Sequence, residues 1–239
     1  MGCLSYLVGT GADKAAEKAK LAHMKNGKTI DQQNAIDFFL LDNSGCGCTG
    51  CGSNGSKMTM GEYQQLVSNR LYNLNLKQKA MDKIGLDESE IQEIPPIPLS
   101  SYVFDEGDEG DDVWIKVIGE EAVSSRFSVS WIFFSATQLY AYTYTFDMVS
   151  DNTWEKTQDF FYQDITCFTT AHKVVEQIDY SIVGCIKKGE NAVKNNYVVD
   201  SLSIVLPGTS FSFSMRNSDS LEQSLQAAKA MLRERKFAN

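Results

Sequence analysis

The amino-acid sequence predicts an α+β protein: a helical amino-terminal region followed by a β-rich half that ends in one helix. Two observations carry this prediction. The hydrophobic period changes from about 3.6 residues to about 2 along the chain, and a stretch rich in proline and acidic residues separates the two regimes. We therefore expect a helical region over 1–94 that contains a Cys/Gly-rich loop at 45–56, a linker over 95–112, and a β domain over 113–239.

Helices in the amino-terminal region are indicated by composition and by capping signals. Residues 12–25 are rich in Ala, Lys and Glu, which favour helix. Thr29 with Gln32, and Thr59 with Glu62, have the three-residue spacing of a capping box. In such a box each side chain accepts a hydrogen bond from the other residue's backbone amide. Each pair therefore predicts the first turn of a helix.

The helix after Thr59 is expected to run unbroken to Gly85, because its apolar residues keep helical spacing and glycine is a stop signal. Beyond it, three prolines at 95–98 remove backbone donors and lock φ. Six of the eight residues 105–112 are acidic. These two features define the predicted linker.

The carboxy-terminal half contains about seven segments that alternate or run apolar, with short polar breaks between them. One alternating segment places Tyr140, Tyr142 and Tyr144 on a single strand face. This face could form a surface that binds peptides or stacks on bases. We expect instead that another element covers it, with the amino-terminal helices as the candidate. A last helix, with apolar residues at helical spacing and basic residues near its end, follows residues 218–220.

The acidic composition disfavours some classes of function. The formal charge of −9 argues against nucleic-acid binding, because Lys and Arg hold the phosphate backbone. No apolar run reaches the roughly 18 residues of a transmembrane helix, and the run after Met1 is too short for a signal peptide. Tyr6 stands where N-myristoylation requires Ser or Thr. We therefore expect a cytoplasmic protein whose thiols stay reduced.

The Cys/Gly-rich loop is the sharpest chemical feature. The thiolates of Cys46, Cys48 and Cys51 can converge on one soft cation, and the intervening glycines let the backbone wrap around it. We interpret these three as candidate ligands of Zn²⁺, with Cys3 or His23 in the fourth position. A loop with incidental thiols and a thiol redox site are the alternative interpretations.

A second group of reactive residue types lies in the β half. Cys167, His172 and Asp164 are the residue types of a nucleophile, a base and an orienting acid. The odd separation of Cys167 and His172 directs them to opposite faces of a strand. We therefore expect a buried Cys167 and a surface His172 rather than a catalytic pair, and Cys185 is expected in the core.

Three stretches of the β half carry a resemblance to a known fold. WIFFSATQLYAYTY is similar to a strand–turn–strand pair, FYQDITCF to the strand before a second sheet, and SLSIVLPGTSFSFSMRNSDSLEQSLQAAKAML to a final hairpin and capping helix. Together they resemble the pleckstrin-homology-like (PH-like) superfold, in particular its bacterial and GRAM-like members. The resemblance implies a seven-stranded β-barrel or sandwich capped by the carboxy-terminal helix, from Val113 to about Lys236.

The PH-like resemblance implies a binding module for inositol lipids, peptides or proteins. Members that bind inositol lipids carry several basic residues between their first two strands. The corresponding stretch here has only Lys116 and Arg126, beside Glu120 and Glu121. A phosphate head group would meet like charge there, which argues against phosphoinositide binding.

We therefore predict a non-enzymatic protein-interaction or scaffold module that binds a protein partner or self-associates, with no catalytic residue. A peripheral membrane-binding protein is the first alternative, and the acidic charge disfavours it. A thiol- or metal-dependent enzyme that uses Cys46, Cys48 and Cys51 is the second alternative.

Overall fold

The computed structural model describes residues 19–41, 58–87, 95–104, 112–118, 121–182, 190–216 and 219–237. Residues 19–25 are helical. The helices that follow are α1 (Ile30–Leu40), α2 (Met60–Tyr72), α3 (Leu76–Ile84) and α4 (Asp219–Phe237). The strands are β1 (Ile97–Val103), β2 (Ile115–Ile118), β3 (Glu121–Ser124), β4 (Arg126–Phe134), β5 (Gln138–Asp147), β6 (Thr153–Phe161), β7 (Cys167–Ile182), β8 (Glu190–Leu206) and β9 (Thr209–Met215), and a 3-10 turn covers Tyr162–Asp164.

The strands form three antiparallel sheets, so the predicted α+β class is confirmed. A four-stranded sheet has the order β1-β4-β5-β6, a three-stranded sheet the order β7-β8-β9, and β2 and β3 form a separate hairpin. The predicted barrel is wrong, because none of the sheets in the described residues closes, and the predicted seven strands are nine in those residues. The sandwich form stays a prediction. One extra strand arises because the apolar segment after residue 113 folds back on itself as the β2–β3 hairpin.

The other extra strand, β1, lies inside the predicted linker. Ile97 and Leu99 are buried in the sheet and Pro98 between them is exposed, which is the alternation of a half-buried strand. Proline removes an amide donor, but it is tolerated at the start of a strand on the edge of a sheet. Strand β1 meets both conditions. The linker assignment is therefore wrong for residues 97–103.

The four-stranded sheet is covered on both faces. One face packs against the three-stranded sheet and α4, through a core that includes Ile132 of β4 and Leu139 of β5. The opposite face packs against α1, α2 and α3 through Phe133, Tyr142 and Phe146. Alternate residues of the same strands therefore serve two separate cores, as the two-residue period of a strand requires.

Both predicted capping boxes are confirmed. The backbone amide of Thr29 donates to Gln32 Oε1 at 2.9 Å, and the amide of Gln32 donates to Thr29 Oγ1 at 3.2 Å. The amide of Thr59 donates to Glu62 Oε2 at 2.6 Å, and this bond lowers the pKa of the Glu62 carboxyl.

The single helix predicted from Thr59 to Gly85 is wrong, because it is divided into α2 and α3. Asn75 takes a left-handed conformation with φ 42° immediately before α3. Asparagine tolerates this conformation better than most residues other than glycine, so the apolar spacing alone did not reveal the break. The predicted end at Gly85 is confirmed, and its φ of 77° is one that glycine adopts without strain.

Tyr63 of α2 anchors the helical layer. Its ring is fully buried and stacks on Phe38 of α1 with 4.6 Å between ring centroids. Its hydroxyl donates a hydrogen bond to the carbonyl oxygen of Ser124 in β3 at 2.7 Å. One side chain thus joins α1, α2 and the β2–β3 hairpin.

We expect Tyr63→Phe to lower the free energy of unfolding by about 1–2 kcal/mol, because it leaves a buried carbonyl without its donor. Tyr72→Phe is the matched control, since Tyr72 lies on the same helix with 89% of its surface exposed, and it should change stability by less than about 0.5 kcal/mol. Urea unfolding of both variants measures the difference. Equal midpoints for the two variants would contradict this role of the Tyr63 hydroxyl.

Candidate functional site

The predicted zinc ligands Cys46, Cys48 and Cys51 lie outside the described residues, as does Cys3. His23 lies on the helical segment 19–25 and is exposed. Across the ranges that the structure describes, no three His, Cys, Asp or Glu side chains are grouped as metal ligands. The zinc site therefore stays a prediction.

Cys167 and His172 are not brought together. Strand β7 runs without a break from Cys167 to Ile182, so the two residues point to opposite faces and are separated by about 17 Å along the strand. The prediction of a surface His172 is confirmed. The prediction of a buried Cys167 is wrong, because this first residue of β7 is exposed. Cys185 lies outside the described residues.

His172 is paired across the sheet instead. It stands opposite Asp200 of β8 in the strand register, and its Nδ1 lies 2.8 Å from Asp200 Oδ1. Asp164 belongs to the 3-10 turn before β7. The arrangement orients a histidine on the surface but provides no nucleophile beside it, so it does not meet the geometric requirement for covalent catalysis.

Asp147, at the end of β5, is a buried titratable group of the β half. Burial raises the pKa of its carboxyl, although the amide of Val149 donates to Oδ1 at 2.7 Å and the charges of Arg70 and Arg126 act in the opposite direction. Arg70 of α2 also donates to the Asp147 carbonyl oxygen at 2.8 Å. These contacts hold α2 against the end of the sheet.

Arg126 is fully buried, and its guanidinium lies 4.4 Å from the ring centroid of Trp154. It stands opposite Asp147 in the register of β4 and β5. Perturbed carboxylates and buried cations are typical of active sites. In this cluster, however, Asp147 makes its contacts with the protein's own backbone and with Arg70 of the covering helix. We therefore interpret the cluster as structural.

A second charged cluster joins α3 to the tyrosine face. The hydroxyl of Tyr142 donates to Glu155 Oε1 at 2.7 Å, and this bond lowers the pKa of the Glu155 carboxyl. Lys79 of α3 lies 3.5 Å from Glu155 Oε2 and 4.3 Å from the ring centroid of Tyr144. The predicted cover of the tyrosine face by the amino-terminal helices is confirmed, so this face is part of the core.

The two basic residues of the stretch that the sequence analysis compared with inositol-lipid sites face inward. Lys116 of β2 donates to the carbonyl oxygens of Phe38 and Leu41, the latter at 3.1 Å, where α1 ends. Helix ends attract cations, because the last carbonyl groups lack helical partners. Arg126 is buried beneath Trp154. Both basic side chains thus make contacts within the fold.

Unpaired strand edges are a further candidate surface in the described residues. In the order β7-β8-β9, β7 is an outer strand, and β9 pairs only with Asp200–Leu206 of β8. The part of β7 from Lys173 onward therefore forms a two-stranded ribbon with β8. On this ribbon Val174 stands opposite Val198, and their side chains are 58% and 48% exposed.

Sequence reasoning missed both the Arg126–Asp147 cluster and the ribbon. A signal for the first existed, because Arg126 shares its strand face with Ser128, Ser130 and Ile132, and an arginine at an inward position requires an internal partner. No signal existed for the ribbon. Its length depends on where β9 stops, which is set by tertiary packing.

Comparisons with models of protein families, with curated proteins and with solved structures give no match to this chain. Among the helices of the described ranges, none combines the length and apolar character needed to cross a membrane. The candidate site is therefore judged on its geometry alone.

We expect Asp147→Asn to stabilise the protein at neutral pH. The raised pKa means that the ionised carboxyl of Asp147 costs folding free energy. The contribution of Asp147 to the free energy of unfolding therefore falls as pH rises. The fall begins near the ordinary pKa of an aspartate, about 3.9, and continues through the raised pKa of the folded state. The stabilisation should vanish below the ordinary pKa, where Asp147 is neutral in both states. Urea unfolding across a pH series measures it, with the exposed carboxylate variant Asp159→Asn as control. A stability difference that does not change with pH would contradict this prediction.

We expect the purified, reduced protein to contain about one Zn²⁺ per chain, held by the thiolates of Cys46, Cys48 and Cys51. Changing all three to Ser should remove the metal, and elemental analysis measures it. Cys167→Ser is the matched control, since it removes an exposed thiol outside the cluster. Metal-free wild-type protein with reactive thiols in the loop would show that the loop holds no zinc.

Proposed function

We propose that this chain is a non-enzymatic protein-interaction module, and that it binds an extended segment of a protein partner along the outer edge of β7. The observation that carries the proposal is this edge. Strand β7 is 16 residues long, contains no proline and has β8 as its single strand partner in the described part of the chain. An unpaired strand edge offers a row of backbone donors and acceptors to another chain.

A PH-like arrangement of the β half is part of the proposal. Strands β4, β5 and β6 follow one another in the four-stranded sheet, β7, β8 and β9 do so in the second sheet, and α4 packs against β1 and the 3-10 turn. The resemblance implies seven strands in a barrel or sandwich with a closing helix, and the seven strands of these two sheets with α4 are consistent with the sandwich form. The β2–β3 hairpin is then an insertion after the first strand.

The other sheet edges are less suited to strand addition. Strand β1 begins among prolines and lies beside β9. Strand β6 has three charged residues among nine, and Glu155, Lys156 and Asp159 are all exposed. Proline and charge are common means of blocking an edge. Strand β7 has three charged residues among 16 and carries an exposed apolar residue, Val174.

The same geometry disfavours lipid binding and thiol catalysis in the β half, whereas the enzyme alternative that uses Cys46, Cys48 and Cys51 concerns residues outside the described ranges. Lipid phosphate needs basic side chains that reach solvent, whereas Lys116 and Arg126 make contacts within the fold. Thiol catalysis in the β half needs a base beside the nucleophile, whereas Cys167 and His172 point to opposite faces of β7.

We expect peptides selected from a display library of unstructured sequences to protect the outward amides of β7 from hydrogen exchange. Val174→Pro and Val175→Pro form a matched pair, because adjacent amides of a strand point to opposite edges. One of the two variants loses an amide that points outward, and this is the variant expected to keep the wild-type thermal midpoint. That variant should weaken peptide binding about tenfold, since strand addition depends on main-chain hydrogen bonds. Protection outside β7, or unchanged binding by that variant, would contradict the proposal.

The membrane alternative has its own test. Vesicles of phosphatidylcholine with phosphatidylserine and phosphoinositide should sediment no more protein than phosphatidylcholine vesicles alone. Sedimentation that depends on the anionic lipids would replace the proposed function with membrane binding.

A further inference from the structure

We infer that the segment added to β7 is β7 of a second copy of this chain, which makes the protein a homodimer with a continuous sheet across a two-fold axis. Dimerisation at β7 rests on the proposed function, because it uses the same edge. When a two-fold axis perpendicular to the sheet relates two antiparallel strands, the same set of side chains from each copy lies on the same face of the combined sheet. Such an axis can therefore pass beside Val174.

The charges around Val174 suit antiparallel self-pairing. Lys173 precedes it and carries a positive charge, Glu176 follows it and carries a negative charge, and His172, which is counted as neutral at pH 7, pairs with Asp200 of its own chain. With the axis at Val174, His172 of each copy stands opposite Glu176 of the other. Parallel pairing in register would instead place equal charges side by side, which destabilises a sheet. The charge pattern thus favours the antiparallel two-fold arrangement.

The exposed apolar surface points to the same place. Val174 of one copy would lie directly opposite Val174 of the other across the axis. Val198 stands opposite Val174 within each chain, so it adds a further exposed valine on the neighbouring strand of each copy. Placing four valines side by side on one sheet face gives the junction an apolar centre flanked by charges, which is the usual anatomy of a protein interface.

The ribbon itself gains stability from a second copy. Beyond β9, β7 and β8 pair only with each other in the described residues. A two-stranded ribbon is marginally stable in water, whereas three or more strands with an apolar face are stable. Joining two ribbons at β7 makes a four-stranded sheet, and in this arrangement both β7 edges are paired.

Charge exchange at Val174 tests the dimer. Val174→Lys and Val174→Glu should each weaken dimerisation at least about tenfold, because like charges then face each other across the axis. An equimolar mixture of the two variants should recover dimers, since the introduced ammonium of one copy then faces the introduced carboxylate of the other. Sedimentation velocity of the full chain over a concentration series measures all three samples, and thermal unfolding checks that each variant is folded.

Val198→Lys is the matched control. It places the same charge on the same face, but the two copies of residue 198 are about 14 Å apart, three strand spacings, where salt screens most of the repulsion. We expect its dimerisation to resemble wild type. Equal weakening by Val198→Lys, or a mixture that stays monomeric, would place the interface elsewhere.

The outcomes separate this inference from the proposed function. Wild-type protein that is monomeric at every concentration but binds library peptides along β7 overturns the dimer and leaves the proposed function standing. Monomeric protein that binds no peptide at β7 overturns both. If the two charged variants are monomeric alone and form dimers when mixed, the result supports a second copy as the partner and Val174 as the residue at the axis.

Discussion

The four-stranded sheet depends on being covered on both faces, and most of the remaining structure follows from this requirement. Its central strands β4 and β5 have large apolar residues on both sides, so neither face can be left in water at acceptable cost. The second sheet and α4 cover one face, and α1, α2 and α3 cover the other. Helices α1, α2 and α3 therefore share a hydrophobic core with the sheet.

The requirement also explains where the polar groups lie. Hydrogen bonds and charges gather at the borders between layers: Tyr63 reaches the β2–β3 hairpin, Arg70 reaches the end of β5, and Lys79 reaches Glu155 on β6. Each of these side chains sends one polar group across a layer boundary, and the ring of Tyr63 stays in the core. They position the helices in a way that apolar contact alone, which has no direction, does not.

Local signals in the sequence predicted local structure well. Capping boxes at Thr29 and Thr59, the stop at Gly85 and the buried tyrosine face follow from contacts within a few residues or from the strand period. Strand β1 and the break at Asn75 were missed, because both depend on tertiary context that overrides a local rule. Pro98 in β1 is tolerated because that strand lies at an edge, and sequence alone does not show which strands lie at edges.

The edge of β7 also depends on tertiary context that the sequence does not show. Alternation in the sequence indicates a strand, but exposure of its edge depends on which strands pair with it and where β9 ends. The two buried faces of the four-stranded sheet are unavailable to a partner, and the edges of β1 and β6 are blocked by proline, by β9 or by charge. The physical constraint that fixes the core therefore also directs association to the strand edges that stay open in the described fold, and among these β7 offers a longer unpaired edge than the part of β8 before Asp200.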